Sequence, residues 1–410
     1  MLASCSKQEV SDNPLLQKWD TPFETAPFEK IKVEHYLPAF EAAIAEHNKE
    51  IQAIIDNAEA PTFDNTIAAL DYSGETLSKV AGVFFNMMAA NTSEELQKVN
   101  EQVGPMMATH SDNVSMNAKL FEKIKAVYDA KDSQKYTGEQ LALLEKTYNK
   151  FVRSGALLDA AKQEELRKVN AELTKVEAKF DANLLKETKA YQLVVEKEED
   201  LKGLPQGEKE KAAALAKSEG KEGKWIFTLD NPSFMPFVTY ADNRDLRKEI
   251  FNARVNRCNN GGETDNNALV AQMSELRAKK AQLLGYETFA HYQLEERMAK
   301  EPKAVFDLLE NLLSYSVKVA KEEAAQFQAM LSKDVPGAKL EAWDMYYYAE
   351  KVRQQKYNFD AELTRPYFEI NKVRQGCFDV LTKLYGISFT ERKDVSVYAE
   401  DVLVFEAKNE

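Results

Sequence analysis

The sequence predicts a mainly α-helical protein with a few short strands. Glycine and proline are sparse, at 15 and 12 of 410 residues, so few positions interrupt a helix. Hydrophobic residues make up 44% of the chain and charged residues 30%, which is typical of a protein with a hydrophobic core. Apolar residues recur at helical spacing through most of the sequence, whereas alternation with a period of two is confined to short segments.

The amino-terminal third predicts a series of amphipathic helices. A helical pattern covers residues 35–58 and ends at Pro61, and a second apolar run covers 63–90. The segments 92–95 and 137–140 have the residue types and spacing of capping boxes, so each marks the start of a further helix.

A longer amphipathic helix is predicted next. Its apolar residues are three or four positions apart, as in a coiled-coil seam. They are Leu166, Val169, Leu173, Val176, Phe180 and Leu184. This stripe holds no polar ligand, so it predicts core packing and not a cofactor site.

The pattern changes to short strands in the middle of the chain. Residues 191–195 and 225–229 are predicted strands, with a small helix between them that ends at Gly220. We therefore predict a small strand-containing insertion at about 190–235, within a helical region that covers residues 13–410.

The carboxy-terminal part returns to helices after a turn in which Ser233 is the predicted N-cap. Residues 363–389 predict one helix and a short strand. Residues 402–408 alternate as an edge strand does, and predict the first arm of a hairpin whose second arm is absent. The other helices are predicted at 245–256, 265–284, 286–298, 302–330 and 343–356.

Charge and cysteine content exclude several classes of protein. The formal net charge is −13 and no basic patch is present, so nucleic acid is not an expected partner. Cys5, Cys258 and Cys377 are far apart and form no C-x-x-C pair, which argues against a disulfide framework or a cysteine zinc site. Cys258 and Cys377 are each predicted to be small buried residues and not nucleophiles.

The amino terminus has the pattern of a lipidation signal. Residues 2–5, Leu-Ala-Ser-Cys, have the form of a bacterial lipobox, and the polar residues up to position 12 would act as a tether. Such a site should follow a basic segment and an apolar segment of about 7–15 residues, and neither is present.

Two interpretations of this pattern stay open. Either the start lies inside a longer signal peptide, or the match arises by chance. The first makes Cys5 a lipidation candidate in a cell-envelope or periplasmic lipoprotein, and the second predicts a cytoplasmic protein. Any membrane attachment would be through a lipid on Cys5, because the sequence has no transmembrane run elsewhere.

The residues form no complete catalytic constellation. His35, His47, His110 and His291 are too far apart for H-E-x-x-H, in which two histidines four positions apart bind one zinc ion. The segment 47–51 misses the pattern H-x-x-E-H because its last residue is isoleucine. G-x-S-x-G, P-loop and G-x-G-x-x-G motifs are also absent. We therefore assign no catalytic or metal-ligating residue, and predict that the histidines are structural or solvated.

Seven consecutive segments together resemble the thimet oligopeptidase family of zinc metallopeptidases. The resemblance extends from about Asn13 to the end of the sequence, and is strongest to bacterial peptidyl-dipeptidases and oligopeptidases A. The segments are "PFEKIKVEHYLPAFEAAIAEHNKEI" from Pro27, "PTFDNTIAALDYSGETLSKVAGVFFNM" from Pro61, "GKWIFTLDNPSFMPF" from Gly223, "NRDLRKEIFNA" from Asn243, "KAQLLGYETFAHYQLEERMAK" from Lys280, "WDMYYYAEKVR" from Trp343 and "LTRPYFEINKVRQGCFDVLTKLYGISF" from Leu363.

The resemblance implies a multi-helix, ellipsoidal metallopeptidase scaffold with a channel in which short peptides are hydrolysed. In the family, H-E-x-x-H and a glutamate of the next helix hold zinc, and peptidyl-dipeptidases release carboxy-terminal dipeptides. This sequence contains no H-E-x-x-H, so we expect an amino-terminal part, truncated before the zinc-binding helix by more than a third of the family's length. We expect it to bind no zinc, to be inactive alone and to expose an apolar surface.

Three interpretations of function stay open on this resemblance. The chain is part of a zinc-dependent peptidyl-dipeptidase, a non-catalytic helical module that binds peptides, or one half of a split enzyme with a complementary carboxy-terminal half as partner. Substrate-binding residues stay unknown, because those that hold the substrate carboxylate are expected in the absent part. The aromatic residues of 363–389 are predicted to pack beneath the channel.

Overall fold

The structure is a computed structural model that describes residues 12–359 and 361–409. The lipidation candidate Cys5 lies outside the described residues. The chain folds into two compact units. Unit 1 contains the residues up to Lys175, Lys279–Tyr286 and the residues from Gln375, and unit 2 contains Val176–Ala278 and Glu287–Arg374.

Helices dominate the described residues, which confirms the predicted mainly α fold with a few short strands. The α-helices are α1 (Tyr36–Asp56), α2 (Ala69–Tyr72), α3 (Glu75–Ala90), α4 (Glu94–Ser115), α5 (Ala118–Asp129), α6 (Gly138–Arg153), α7 (Ala160–Ala190), α8 (Gln206–Ser218), α9 (Asn231–Tyr240), α10 (Arg244–Val255), α11 (Asn267–Leu283), α12 (Phe289–Leu294), α13 (Pro302–Asp334), α14 (Met345–Tyr357) and α15 (Ile370–Tyr385). Short 3₁₀ helices cover Pro22–Glu24, Val33–His35, Lys131–Ser133, Glu198–Leu201, Ala342–Asp344 and Ala361–Tyr367. No described helix has the length and apolar content needed to cross a lipid bilayer.

Unit 1 is built around two hydrophobic clusters that share α1. Near the start of α1, Phe40 is buried and packs edge-to-face on Phe84 of α3, with ring centroids 5.4 Å apart. Near its end, Ile51 and Ile54 join a second cluster with Ile124 of α5. Because one helix contributes apolar residues to both clusters, α1 holds the first half of unit 1 together.

The apolar run at 63–90 is interrupted, in contrast to the continuous pattern of its sequence. It forms a π-helix at Phe63–Ala68, then α2, and then α3 after a break at Gly74. Gly74 has φ = 76°, a left-handed conformation that glycine adopts without strain. A Cβ atom there would also lie 3.1 Å from the ring of His47, so both backbone and space favour glycine.

The predicted helix starts are confirmed in one case and corrected in two. Thr137 and Gln140 form the predicted reciprocal capping box at α6. The box predicted at 92–95 is wrong, because Ser93 and not Thr92 accepts the hydrogen bond from the first turn of α4. Adjacent hydroxyl residues fit the same pattern, so spacing alone does not choose between them. Ser233 does not cap α9, since its hydroxyl instead accepts a hydrogen bond from the Thr228 N–H in the preceding turn.

Four short strands form two antiparallel pairs among the described residues. In unit 2, β1 (Leu193–Val195) pairs with β2 (Trp225–Phe227), which confirms the two strands predicted there. In unit 1, β3 (Ser388–Arg392) pairs with β4 (Val404–Lys408), with Arg392 opposite Val404. The segment predicted as the first arm of a hairpin is therefore the second strand of the β3–β4 pair. That a further strand pairs with it stays a prediction. The connection between β3 and β4 is long, so it has none of the two-residue turn signals by which a hairpin is read from sequence.

The carboxy-terminal part of α13 packs on α14 in unit 2. Phe327 and Leu331 of α13 are buried against Tyr347, Tyr348 and Val352 of α14. The helix predicted at 302–330 is confirmed and extends to Asp334, whereas the one predicted at 286–298 is confined to α12.

Candidate functional site

Two histidines that are 63 positions apart in sequence meet in unit 1. His47 Nδ1 of α1 lies 2.9 Å from His110 Nε2 of α4, and His47 Nε2 lies 3.1 Å from Ser73 Oγ. The Ser73 hydroxyl donates its proton to the Leu70 carbonyl at 2.7 Å, so His47 Nε2–H must donate to Ser73. His47 Nδ1 is then an acceptor, and His110 Nε2–H donates to it. No sequence motif links the two residues, so sequence reasoning missed this pair.

Both histidines are neutral at neutral pH. Burial lowers the pKa of His47, and Lys150 lowers it further while Glu50 opposes the change. Burial and the neighbouring His47 lower the pKa of His110. The His110 Nδ1 atom is buried and has no hydrogen-bond partner among the described residues. The neutral histidine pair therefore links α1 to α4 through its own hydrogen bond, and to the turn before α3 through Ser73.

The described residues do not fit a zinc ion. Such an ion needs three or four converging histidine, cysteine or carboxylate ligands, and residues 12–359 and 361–409 contain no group of three that could hold one. His47 and His110 use their facing nitrogens on each other. His35 Nδ1 accepts a hydrogen bond from the Lys32 N–H at 3.0 Å, and His291 Nδ1 lies 2.8 Å from the Thr288 hydroxyl. Each of these two histidines thus serves a local helix start.

The two cysteines of the described residues differ in exposure. Cys258 is buried as predicted, its backbone N–H donates to Glu187 at 2.7 Å, and burial raises the pKa of its thiol to about 11. It is therefore a protonated, inert thiol at neutral pH. The predicted burial of Cys377 is wrong, because this residue is exposed on α15.

A buried charge cluster fixes the base of α14 in unit 2. The Asp344 carboxylate is fully buried and accepts hydrogen bonds from Arg244 at 2.7 Å and from the buried Arg247 at 3.1 Å. Burial opposes the ionisation of Asp344, but hydrogen bonds from Arg244, the Glu341 N–H and Arg247 outweigh it and lower its pKa. The Arg247 guanidinium also lies 3.9 Å from the ring centroid of Tyr347. The Arg247 Nε atom is buried without a hydrogen-bond partner among the described residues, but both guanidinium groups pair with the Asp344 carboxylate. The cluster is therefore a structural anchor and not an open site.

An exposed apolar surface covers the amino-terminal half of α13. Every residue from 306 to 323 is exposed, although the helix pattern there is strongly apolar. We call this surface the α13 apolar face. It consists of Phe306, Leu308, Leu309, Leu312, Leu313, Tyr315, Val317 and Val319, which are 39–72% exposed. Its residues span roughly 200° of the helix circumference at 3.6 residues per turn, and only Ser316 interrupts them.

Other large apolar side chains are exposed near the carboxy-terminal end of unit 2. Tyr357, Leu363, Tyr367 and Phe368 are 67–75% exposed. The sequence predicts packing for the aromatics of 363–389. Phe378 and Phe389 stack on each other in unit 1, whereas Tyr367, Phe368 and Tyr385 are exposed. The exposed apolar surface that the sequence predicts is thus present on α13 and around residues 357–368.

Contiguous exposed apolar surface of this kind marks an interaction surface. Residues 237–410 match the sequence model of Peptidase family M3. These residues therefore belong to peptidase family M3.

Its relatives are peptidases from bacteria and eukaryotes. The dipeptidyl carboxypeptidase of Escherichia coli (strain K12) is 34% identical over 395 residues, which are 96% of this chain and 58% of that protein. Oligopeptidase A of the same organism is 32% identical over 406 residues, with 97% and 58% covered. The thimet-like oligopeptidase of Dictyostelium discoideum is 24% identical over 387 residues, with 91% and 56% covered. The chain thus spans 58% of the length of the first two relatives.

Proposed function

We propose that this chain forms the scaffold part of a metallopeptidase that acts on short peptides and releases dipeptides from their carboxy termini. The observation that carries the proposal is the 34% identity to a dipeptidyl carboxypeptidase over 96% of the chain. The similarity includes both units, so it concerns the whole scaffold and not one shared motif.

We propose further that residues 1–410 alone do not hydrolyse peptides. The four histidines are committed to each other or to local helix starts, and the described residues contain no cluster of metal ligands. In such an enzyme zinc would polarise the substrate carbonyl and activate a water molecule. The residues that hold this zinc would have to lie outside this sequence.

The experiment compares the purified 410-residue chain with the E. coli dipeptidyl carboxypeptidase. Each is incubated with an N-acetylated tetrapeptide and zinc, and mass spectrometry detects the products while elemental analysis measures bound metal. We expect dipeptide from the control enzyme and no product or stoichiometric zinc from the chain. Stoichiometric zinc with dipeptide release would overturn the inactivity of this chain.

A second arm tests the peptidyl-dipeptidase assignment itself. The remaining two fifths of the E. coli enzyme are fused after Glu410, and the fusion is assayed with the same tetrapeptide and with a longer peptide. We expect a carboxy-terminal dipeptide as the first product. Cleavage at internal bonds of longer peptides, without dipeptide release, would instead support an oligopeptidase.

A further inference from the structure

The α13 apolar face needs a partner that is broad and folded. A helix that packs on one neighbour requires only a narrow apolar stripe, whereas this face extends over roughly 200° of the circumference. Phe306 and Leu308 lie on opposite sides of it, so one partner helix would leave one of them exposed. The width therefore favours a surface made of several helices over a single peptide.

The charges of α13 disfavour a membrane as the partner. The charged residues along this part of α13 are Asp307, Glu310, Glu322 and Glu323 against Lys303, Lys318 and Lys321, and Lys303 pairs with Asp307. Amphipathic helices that lie on anionic bilayers have a polar face rich in lysine and arginine. The acidic excess here would oppose that contact.

A second copy of this chain is also a poor fit. Two copies of α13 would cover one stripe of each other and leave the rest of the face in water. Each copy carries a net charge of −13, so association would bring two acidic surfaces together.

We propose that the α13 apolar face is the docking surface for the folded polypeptide that makes up the remaining two fifths of an M3 peptidase. Relatives contain this additional length, since the chain matches 58% of the E. coli dipeptidyl carboxypeptidase. The inference rests on the proposed function and names the surface through which the scaffold meets its catalytic part. The buried end of α13 against α14 holds the helix in place for this contact.

The experiment measures how fast a single thiol on the face reacts with a maleimide. Leu313→Cys is made in a background in which Cys5, Cys258 and Cys377 are replaced by serine, and Tyr72→Cys is the matched control. Tyr72 is 82% exposed and lies on α2 in unit 1. Each is tested in the 410-residue chain and in the fusion to the remaining two fifths of the E. coli enzyme. The fusion keeps the heterologous part at high effective concentration, so modest affinity suffices.

We expect the thiol at position 313 to react rapidly in the chain alone and at least about tenfold more slowly in the fusion, with the control at 72 unchanged. Equal reaction of position 313 in both proteins would overturn the proposal. If the thiol at position 313 were protected in the chain alone and the mass in solution were doubled, the occupant would be a second copy. This result would also overturn the proposal. If only phosphatidylglycerol vesicles protected the thiol at position 313, the occupant would be a membrane and the proposal would be overturned.

A second measurement does not depend on folding of the fusion. The chain alone should bind an apolar fluorescent dye, and Leu309→Glu with Leu313→Glu should reduce that signal several-fold more than Tyr72→Glu. Equal loss in both variants would mean that the face is not an accessible apolar surface. Dipeptide release by the fusion is measured separately. Protection of position 313 without dipeptide release refutes the proposed function only. Dipeptide release without protection of position 313 refutes the docking surface only.

Discussion

The two longest described helices both have an apolar face, and the two faces have opposite environments. Four apolar residues of α7 between Leu166 and Val176 are 1–7% exposed, whereas four leucines of α13 between Leu308 and Leu313 are 52–59% exposed. Helix periodicity determines which face is apolar, and both helices satisfy it. Whether that face is covered depends on what else is present in the fold, so an apolar helical pattern does not by itself establish burial.

The difference also exists within α13 itself. Its end at Phe327 and Leu331 is buried on α14, while the residues from 306 to 323 are exposed. Because the buried end carries the contacts that hold the helix, mutations there should cost stability and mutations on the exposed face should not.

The largest expected effect is at the buried charge cluster at the start of α14. Asp344→Ala removes the carboxylate that pairs with Arg244 and the buried Arg247, and leaves a buried guanidinium without its partner. We expect unit 2 to lose about 3–5 kcal/mol of unfolding free energy, measured by urea denaturation. Asp334→Ala is the matched control, because its ion pair with Lys351 is partly exposed and should contribute at most about 1 kcal/mol. Similar losses from both would show that the buried cluster is not the anchor.

The direct test of the comparison uses equivalent truncations on the two helices. Leu166→Ala removes a side chain that is 1% exposed and should cost about 2–5 kcal/mol, because it leaves a cavity. Leu309→Ala removes a side chain that is 53% exposed and should change stability by no more than about 0.5 kcal/mol. Urea denaturation followed by circular dichroism measures both in the 410-residue chain. A large cost at Leu309 would mean that α13 is covered in the chain as it stands.

A smaller effect is expected from acid, and it should separate unit 1 from α13. Burial keeps the pKa of His47 and His110 below the unfolded value of 6.5, so the unfolded chain binds protons first. Unit 1 should therefore lose stability as the pH falls below about 6.5, until the pKa values of the folded state are reached. Residues 302–334 contain no histidine, so α13 lacks this source of acid sensitivity.

The acid test compares denaturation at pH 7 and pH 5. Replacement of both His47 and His110 by asparagine should remove most of the acid loss, and His291→Asn should leave it unchanged. Glu50 and Lys150 are the charged groups that act on His47. Burial raises the pKa of Asp112, so protonation of this carboxyl in acid stabilises the fold and opposes the effect of the histidines. An acid loss of equal size in the double variant would show that the histidine pair is not its source.

Local rules determined most of the helices. The capping box at Thr137 and Gln140, the stripe from Leu166 to Val176 and the short strands of unit 2 follow from residue types at short spacing. They were predictable because each depends on contacts within one element or between near neighbours in sequence. Where two candidates fit one rule, as for Thr92 and Ser93, spacing could not distinguish them.

Contacts between distant residues were not predictable in this way. The sequence shows neither that His47 and His110 form a hydrogen bond nor that the last strand pairs across a long connection with β3. Both depend on how whole elements pack, and no spacing rule connects their positions. The burial of Cys377 was wrongly predicted for the same reason, since a helix position is buried only where a neighbour covers it.

The sequence by itself determined the helical class, the position of each apolar stripe and the absence of an H-E-x-x-H motif. Only the tertiary structure decided which stripes are covered, which histidines meet and where the buried arginines find their carboxylate. The physical reason is that periodicity is a property of one segment, whereas burial and pKa depend on the neighbours that folding brings together. On α13 the sequence supplies the apolar face, and the fold leaves it exposed.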